Sequence, residues 1–485
     1  MHFIQPDKHT RRAFLRRAGQ LAFTGAALPT ALNLAAMADA AAFNATDYKA
    51  LVCVFLNGGN DYANTVINYD NTSYDQYAAI RGGSGRNGGG IAIAQAALTP
   101  TLLNPTVALP GGKQYALHPS MTGLAGLFNS GVAAVQLNVG PLVAPVTRQQ
   151  YNSSNRVAYP LPPKLFSHND QQSVWQSSQP EGATTGWGGH IGDLALSSNT
   201  NRVLTCVSVT GNTVFLSGDQ ALSYQVSTGG AVKINAIANN VYNSAAVRAA
   251  INSLALQTRS HVLENEYNLV TARAVGAESA ISSALAAFPA TTAPFNTFPT
   301  NNNLADQLRM VARLIAARTQ LGNARQVFFV SIGGFDLHDN LINGQATLMD
   351  RLSSALTAFY NATATLGVAD KVTTFTASDF GRTLTSNGDG SDHGWGSHHF
   401  MVGGAVRGKA FYGKAPPVSV GNSTTDANDQ WHVGQGRLLP GTSVDQYANT
   451  LATWFGVQGT EINGILPHIG NFNSADYPAN LGFMA

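Results

Sequence analysis

Short apolar runs that end in glycine and polar residues recur along this chain. Between them lie segments whose apolar residues return every three or four positions. The first run, 51–56 (LVCVFL), is apolar throughout, the pattern of a strand buried on both faces. It passes into Asn57-Gly58-Gly59-Asn60-Asp61, a turn that carries polar groups off the strand's carboxyl end. Residues 120–128 read as helix and 132–137 as a second strand; Pro-rich sequence at 159–164 then precedes SHNDQQSVWQ, a helix start. Residues 204–216 predict two short strands, 245–288 a long Ala-rich helical region, and 289–303 (PATTAPFNTFPTNNN) a linker by composition. An amphipathic helix follows, with Leu304, Leu308, Val311 and Ile315 on one stripe. It feeds a strand at 326–332 that ends in Gly333-Gly334-Phe335-Asp336. A further helix carries Leu348, Leu352, Leu356 and Phe359, and a strand at 372–377 ends in Ser378-Asp379.

Buried strands alternating with amphipathic helices predict an α/β fold, a mostly parallel central sheet with helices on both faces. Ligands of such sheets bind beyond the carboxyl ends of the strands, where Asp61, Asp336 and Asp379 all fall. The expected organisation is one elaborated domain over 41–485, with a helical insertion at about 245–303 that covers the site.

The first forty residues read differently. Arg11-Arg12 stand before Phe14 and Leu15, an Ala-rich apolar stretch follows, and Ala38-Asp39-Ala40 offers a small-x-small cleavage site. This is the pattern of a twin-arginine signal peptide, which makes the export machinery a partner and the periplasm or exterior the destination. Removing its five basic and two acidic residues from 28 and 26 leaves 23 and 24, a net charge of −1. No basic face then argues for nucleic acid. No later stretch reaches the roughly 18 apolar residues of a membrane span. Cys53 and Cys206 are the only cysteines, equally readable as a disulfide formed after export or as buried thiols.

Candidate chemistry gathers at the strand ends. His338 lies two residues past Asp336, and Asp379 leads into a stretch that packs Asp392, His393, His398 and His399 into eight residues. Carboxylates crowded at one sheet edge resist desolvation unless a cation neutralises them, and mixed carboxylate and imidazole groups suit zinc, manganese or iron. Each residue also has a plainer reading: Asp61 in a glycine turn, Asp336 at a helix cap, the histidines against Trp395. Ser167 opens a helix with Asp170 three positions on. That is an N-cap arrangement, or equally a nucleophile at the positive end of a helix, with His168 beside it to assist. Arg382 is a candidate clamp for an oxyanion.

The runs LNGGND, LHPSMTGL, LNVGPL, LFSHNDQQSVWQ, GWGGHIGDL, GGFDLH, SDFGRT, DHGWGSHHF, GKAFYG and TTD, in this order, resemble the DUF1501 family, bacterial proteins commonly carrying a twin-arginine signal. That family is in turn similar to the alkaline phosphatase-like superfamily of phosphatases, sulfatases and phosphoglycerate mutases. The resemblance implies Ser167 as nucleophile and Asp61, Asp336, His338, Asp379, His393 and His398 as ligands of one or two divalent ions. The chain departs from the superfamily where Asp336 and His338 stand two apart rather than four, and where Phe380 follows Asp379 in place of a histidine. It also lacks a sulfatase-type C/S-x-P-x-R motif. The expected function is an exported metal-dependent hydrolase of small-molecule or glycan phosphate or sulfate esters. The alternative is a non-catalytic binding or surface-assembly protein on the same fold.

Overall fold

The computed structural model describes residues 45, 47–83 and 90–485; the twin-arginine segment lies outside them. In chain order the strands are β1 (Lys49–Asn57), β2 (Val66–Asn68), β3 (Tyr115–Leu117), β4 (Ala133–Gly140), β5 (Cys206–Ser208) and β6 (Ser223–Ser227). They continue with β7 (Gly230–Ala231), β8 (Arg325–Gly333), β9 (Val372–Ser378), β10 (Ser397–Val402), β11 (Phe411–Tyr412) and β12 (Thr442–Ser443). The main sheet has the order β11-β4-β10-β9-β1-β8-β5-β6-β7, with β12 also on β4. β9, β1, β8, β5 and β6 run parallel, while β10 is antiparallel to both its neighbours.

Both faces of β1 are covered, as its unbroken apolar run requires. Ala50, Val52, Val54 and Leu56 pack with Leu304, Leu308, Val311 and Ile315 of the helix Asn303–Ala316. Leu348, Leu352, Leu356 and Phe359 of the helix Leu341–Thr365 join the same core. Leu51, Cys53 and Phe55 face the other way, against the helices Trp187–Ala195 and Val444–Phe455. Each fully buried Leu or Ile contributes roughly 1.5–3 kcal/mol, so these stripes hold the layers together. Cys53 and Cys206 are free, buried thiols. They sit on β1 and β5, with β8 between them.

Three segments differ from the pattern-based expectation. In 204–216 only Cys206–Ser208 is a strand. Ser208 Oγ bonds the Gly211 carbonyl as the chain turns through Gly211 at φ 108°, and Phe215 and Leu216 then enter the core from a loop. The helical region is two helices, Ala245–Leu256 and Val262–Ala286. The amide of Asn268 donates to the carbonyls of Leu254 and Gln257, satisfying acceptors that the first helix leaves open at its end. The second helix docks by its last turn, where Arg313 binds the carbonyls of Leu285 and Phe288. Arg313 lies in the last turn of the helix Asn303–Ala316, past Gln307, which bonds the Ser331 carbonyl near the carboxyl end of β8, so this docked end lies away from Asp336. The run 289–303 is packed rather than a free linker, with Phe295 and Phe298 buried in the main core.

Candidate functional site

Strand register brings the polar strand ends to one place. Asn57 pairs with Gly333 and Leu56 with Ser378, so β1, β8 and β9 finish level. Asp61, Asp336 and Asp379 therefore leave one edge. Because β10 is antiparallel, its first residues start at that same edge, and His393 precedes them.

Asp336 is the hub of what gathers there. Its Oδ1 lies 3.0 Å from His338 Nε2 and 3.1 Å from His393 Nε2, and its Oδ2 lies 3.5 Å from His168 Nε2. The Nε2 atoms of His338 and His393 are 3.1 Å apart. Each ring's other nitrogen is engaged: His168 Nδ1 with Asp379 Oδ2 at 2.7 Å, His338 Nδ1 with Asp392 Oδ1 at 3.2 Å, and His393 Nδ1 with the Phe166 carbonyl at 2.8 Å. Those oxygens only accept, so each Nδ1 carries the proton and donates. In the neutral ring the lone pair is then on Nε2. Facing carboxylate oxygens that likewise only accept, each Nε2 needs either its own proton or a cation between it and Asp336. The facing Nε2 atoms of His338 and His393 repel unless a proton or a cation lies between them.

The donor set fits a divalent ion. His168, Asp336 and His393 offer ligand atoms all within 4.8 Å of one another, and His338 stands against two of them. An acceptor behind each imidazole is the usual support of a metal-bound histidine. Asp379 is fully buried, takes Gln172 Nε2 at 2.9 Å as well as His168, and keeps an Oδ1 without a partner among the described residues. A buried carboxylate in that state calls for positive charge nearby.

Charges respond as this packing dictates. Burial raises the Asp336 carboxyl, but the guanidinium of Arg382, with His338 and His393, outweighs it and holds the group below its usual value. Asp392 is lowered in the same way, its hydrogen bonds from Asn387 and His338 overcoming burial. The hydrogen bond to Asp379 raises His168. Burial lowers His393, and the charges of His168 and Arg382 add to it.

Four expected site residues point elsewhere. Asp61 is buried and ion-paired to Arg81 at 2.9 Å, and it also accepts Ser391 Oγ and the Asn64 N–H. Its cation is therefore an arginine of the chain. Arg382 is buried with its guanidinium committed to Asp336 and to the carbonyls of Gly58 and Ser391, so it positions the hub and has no free face for a substrate oxyanion. His398 lies within β10, its ring against Tyr62 and Tyr115 and its Nδ1 accepting the Asn138 N–H. Ser167 is the N-cap of the helix His168–Ser177, and its hydroxyl donates to Asp170 Oδ2 at 2.9 Å. The residue the helix start delivers to the cluster is His168.

Sequence reading missed the supports. Gln172 stands one helical turn after His168, so both reach Asp379, and that i, i+4 spacing was the available signal. Phe380 fills the position where a histidine was expected. Its ring centroid lies 4.8 Å from that of His168 and 4.6 Å from that of His393. A second group, His190, Asp193 and Asp219, has a structural account. Asp193 accepts the backbone N–H of Asp219, Gln220 and Ala221 and so holds that loop.

Among curated proteins none matches the chain. Among solved structures it is similar to the lipoteichoic acid synthase LtaP from Listeria monocytogenes, at 9% identity over 86% of this chain and 74% of that one, with a TM-score of 0.30. The model of the family described as "Protein of unknown function (DUF1501)" matches residues 48–464, and the chain belongs to that family.

Proposed function

We propose that this protein is an exported, metal-dependent hydrolase of phosphate or sulfate esters, built on a centre of His168, Asp336, His338 and His393. The observation that carries the reading is the convergence of three histidine Nε2 atoms on Asp336, each ring fixed from behind through Nδ1. The ester class and the export route come from the motif resemblance and the twin-arginine segment. A divalent ion held there would neutralise charge on an ester oxygen and lower the pKa of the attacking group. Asp379, Asp392 and the Phe166 carbonyl keep the Nδ1 protons pointed away from the cluster, and Arg382 fixes the rotamer of Asp336. Ser167 spends its hydroxyl on Asp170, so water is the attacking group in this reading. One ion is favoured over two, because Arg81 already neutralises Asp61 and Phe380 occupies the place of a further ligand.

Metal analysis of the mature protein, purified without a histidine tag, tests this. About one equivalent of zinc, manganese or iron per chain is expected, with hydrolysis of a phosphate or sulfate ester that a chelator abolishes. A protein that takes up no added ion sinks the reading in favour of a non-catalytic binding protein.

A further inference from the structure

With Arg382 committed to Asp336, an anionic ester at the centre needs another cation. One lies beside His393. Arg437 donates from Nε to the His393 carbonyl at 2.7 Å, and its guanidinium lies over the Phe166 ring, 5.5 Å from the ring centre. Phe166 is the residue whose carbonyl fixes His393 Nδ1, so the arginine is braced by both halves of that contact. Among the described residues no acceptor engages its two terminal nitrogens. The residue is half-buried. The same wall borders a cleft of about 640 Å³ lined by Tyr151, Arg156, Pro160, Leu161, Pro162 and Leu165. Leu165 is the chain neighbour of Phe166. The Tyr151 ring lies 5.9 Å from Trp395, which is two residues past His393. Tyr151, Leu161 and Leu165 of the cleft pack in one apolar cluster with Phe166 and Trp395, so the cleft lies against the segments that brace His393.

We propose that Arg437 is the residue that holds the substrate's oxyanion, and that the adjoining cleft receives a flat, apolar leaving group, so that the favoured esters are aryl or similarly apolar ones. This rests on the metal-centre reading. A guanidinium pinned at Nε presents its two terminal N–H groups in the fork that matches two oxygens of a phosphate or sulfate. Proline, leucine and tyrosine side chains offer an aromatic ring contact area at little conformational cost.

The test is binding rather than turnover. Titration calorimetry on ion-loaded protein should show phenylphosphonate, whose P–C bond the centre cannot hydrolyse, binding several-fold tighter than inorganic phosphate. Arg437→Met should lose at least tenfold in affinity for both while keeping its ion stoichiometry. Arg437→Gln, which keeps a donor for the His393 carbonyl but no charge, should lose phosphate affinity to a similar degree, and it decides the matter if the methionine variant folds poorly. Unchanged phosphate affinity in the glutamine variant, with the ion in place, overturns the role of Arg437. Equal affinity of wild type for the two probes overturns the role of the cleft. A wild-type protein that takes up no ion fails at the level of the centre itself, which separates that outcome from these two.

Discussion

Asp61 and Asp379 leave neighbouring strand ends, yet their partners give them opposite roles. Asp61 faces a fully buried arginine, and Asp379 faces the Nδ1 of a histidine whose other nitrogen looks into the cluster. Replacing each with asparagine separates the two. Asp61→Asn leaves Arg81 charged and buried, which costs about 3–5 kcal/mol, while ion stoichiometry stays as in wild type. Asp379→Asn confronts Gln172 and His168 with an amide in place of a carboxylate, and removing such a support weakens ion affinity by about 10–100-fold. Denaturant unfolding and ion titration on both variants check this. Loss of the ion from Asp61→Asn at full occupancy of folded protein would return Asp61 to the ligand set.

At the level of elements, the turn after β1 shows how tightly the site is tied to its strands. Gly59 has φ 82°, and a Cβ there would lie 2.3 Å from the Phe380 ring. Gly59→Ala carries about 1–2 kcal/mol of left-handed backbone strain, with about 1–3 kcal/mol more from overpacking. Since Phe380 stacks against His168 and His393, ion affinity should fall along with the melting temperature; a stability loss with unaltered affinity would uncouple the ring from the centre. The periodicity of the chain was enough to find β1, β8, β9 and the two amphipathic helices, because burial on both faces leaves unbroken apolar runs and burial on one face leaves a stripe. It placed three aspartates at one edge for the same reason. It read His398 as a ligand, because in SHHFMV the two histidines mask a buried strand whose alternation sends His398 toward Tyr62 and His399 toward Trp175. Arg81 and Arg437 were out of reach, since the contacts that set their roles span 20 and 44 residues of chain and no local pattern encodes such pairings.

Across the whole molecule, histidines buried as neutral rings give stability a pH dependence separate from any ion. Burial lowers His118 to about 4, and His398 and His399 to about 3. In the unfolded chain these rings take up protons near pH 6.5, whereas the folded state refuses them until much lower pH. Between those limits the unfolded state binds more protons, so stability falls as pH falls, by at most about 1.4 kcal/mol per pH unit for each ring. Burial lowers His393 and His432 too, and they act in the same sense. His168, raised by its hydrogen bond to Asp379, opposes them, since its contribution is fullest at low pH and fades as pH rises. The larger set wins, and the ion-free protein should lose stability steadily from pH 6.5 toward pH 4.5. His118 allows a clean test, because its Nδ1 caps the turn Pro119–Met121 by accepting the Ser120 N–H. Asparagine at 118 retains a capping acceptor without the titration. Urea unfolding of His118→Asn at a series of pH values should therefore give a slope shallower by up to one ring's share, and an unchanged slope would mean that the buried ring already carries its proton.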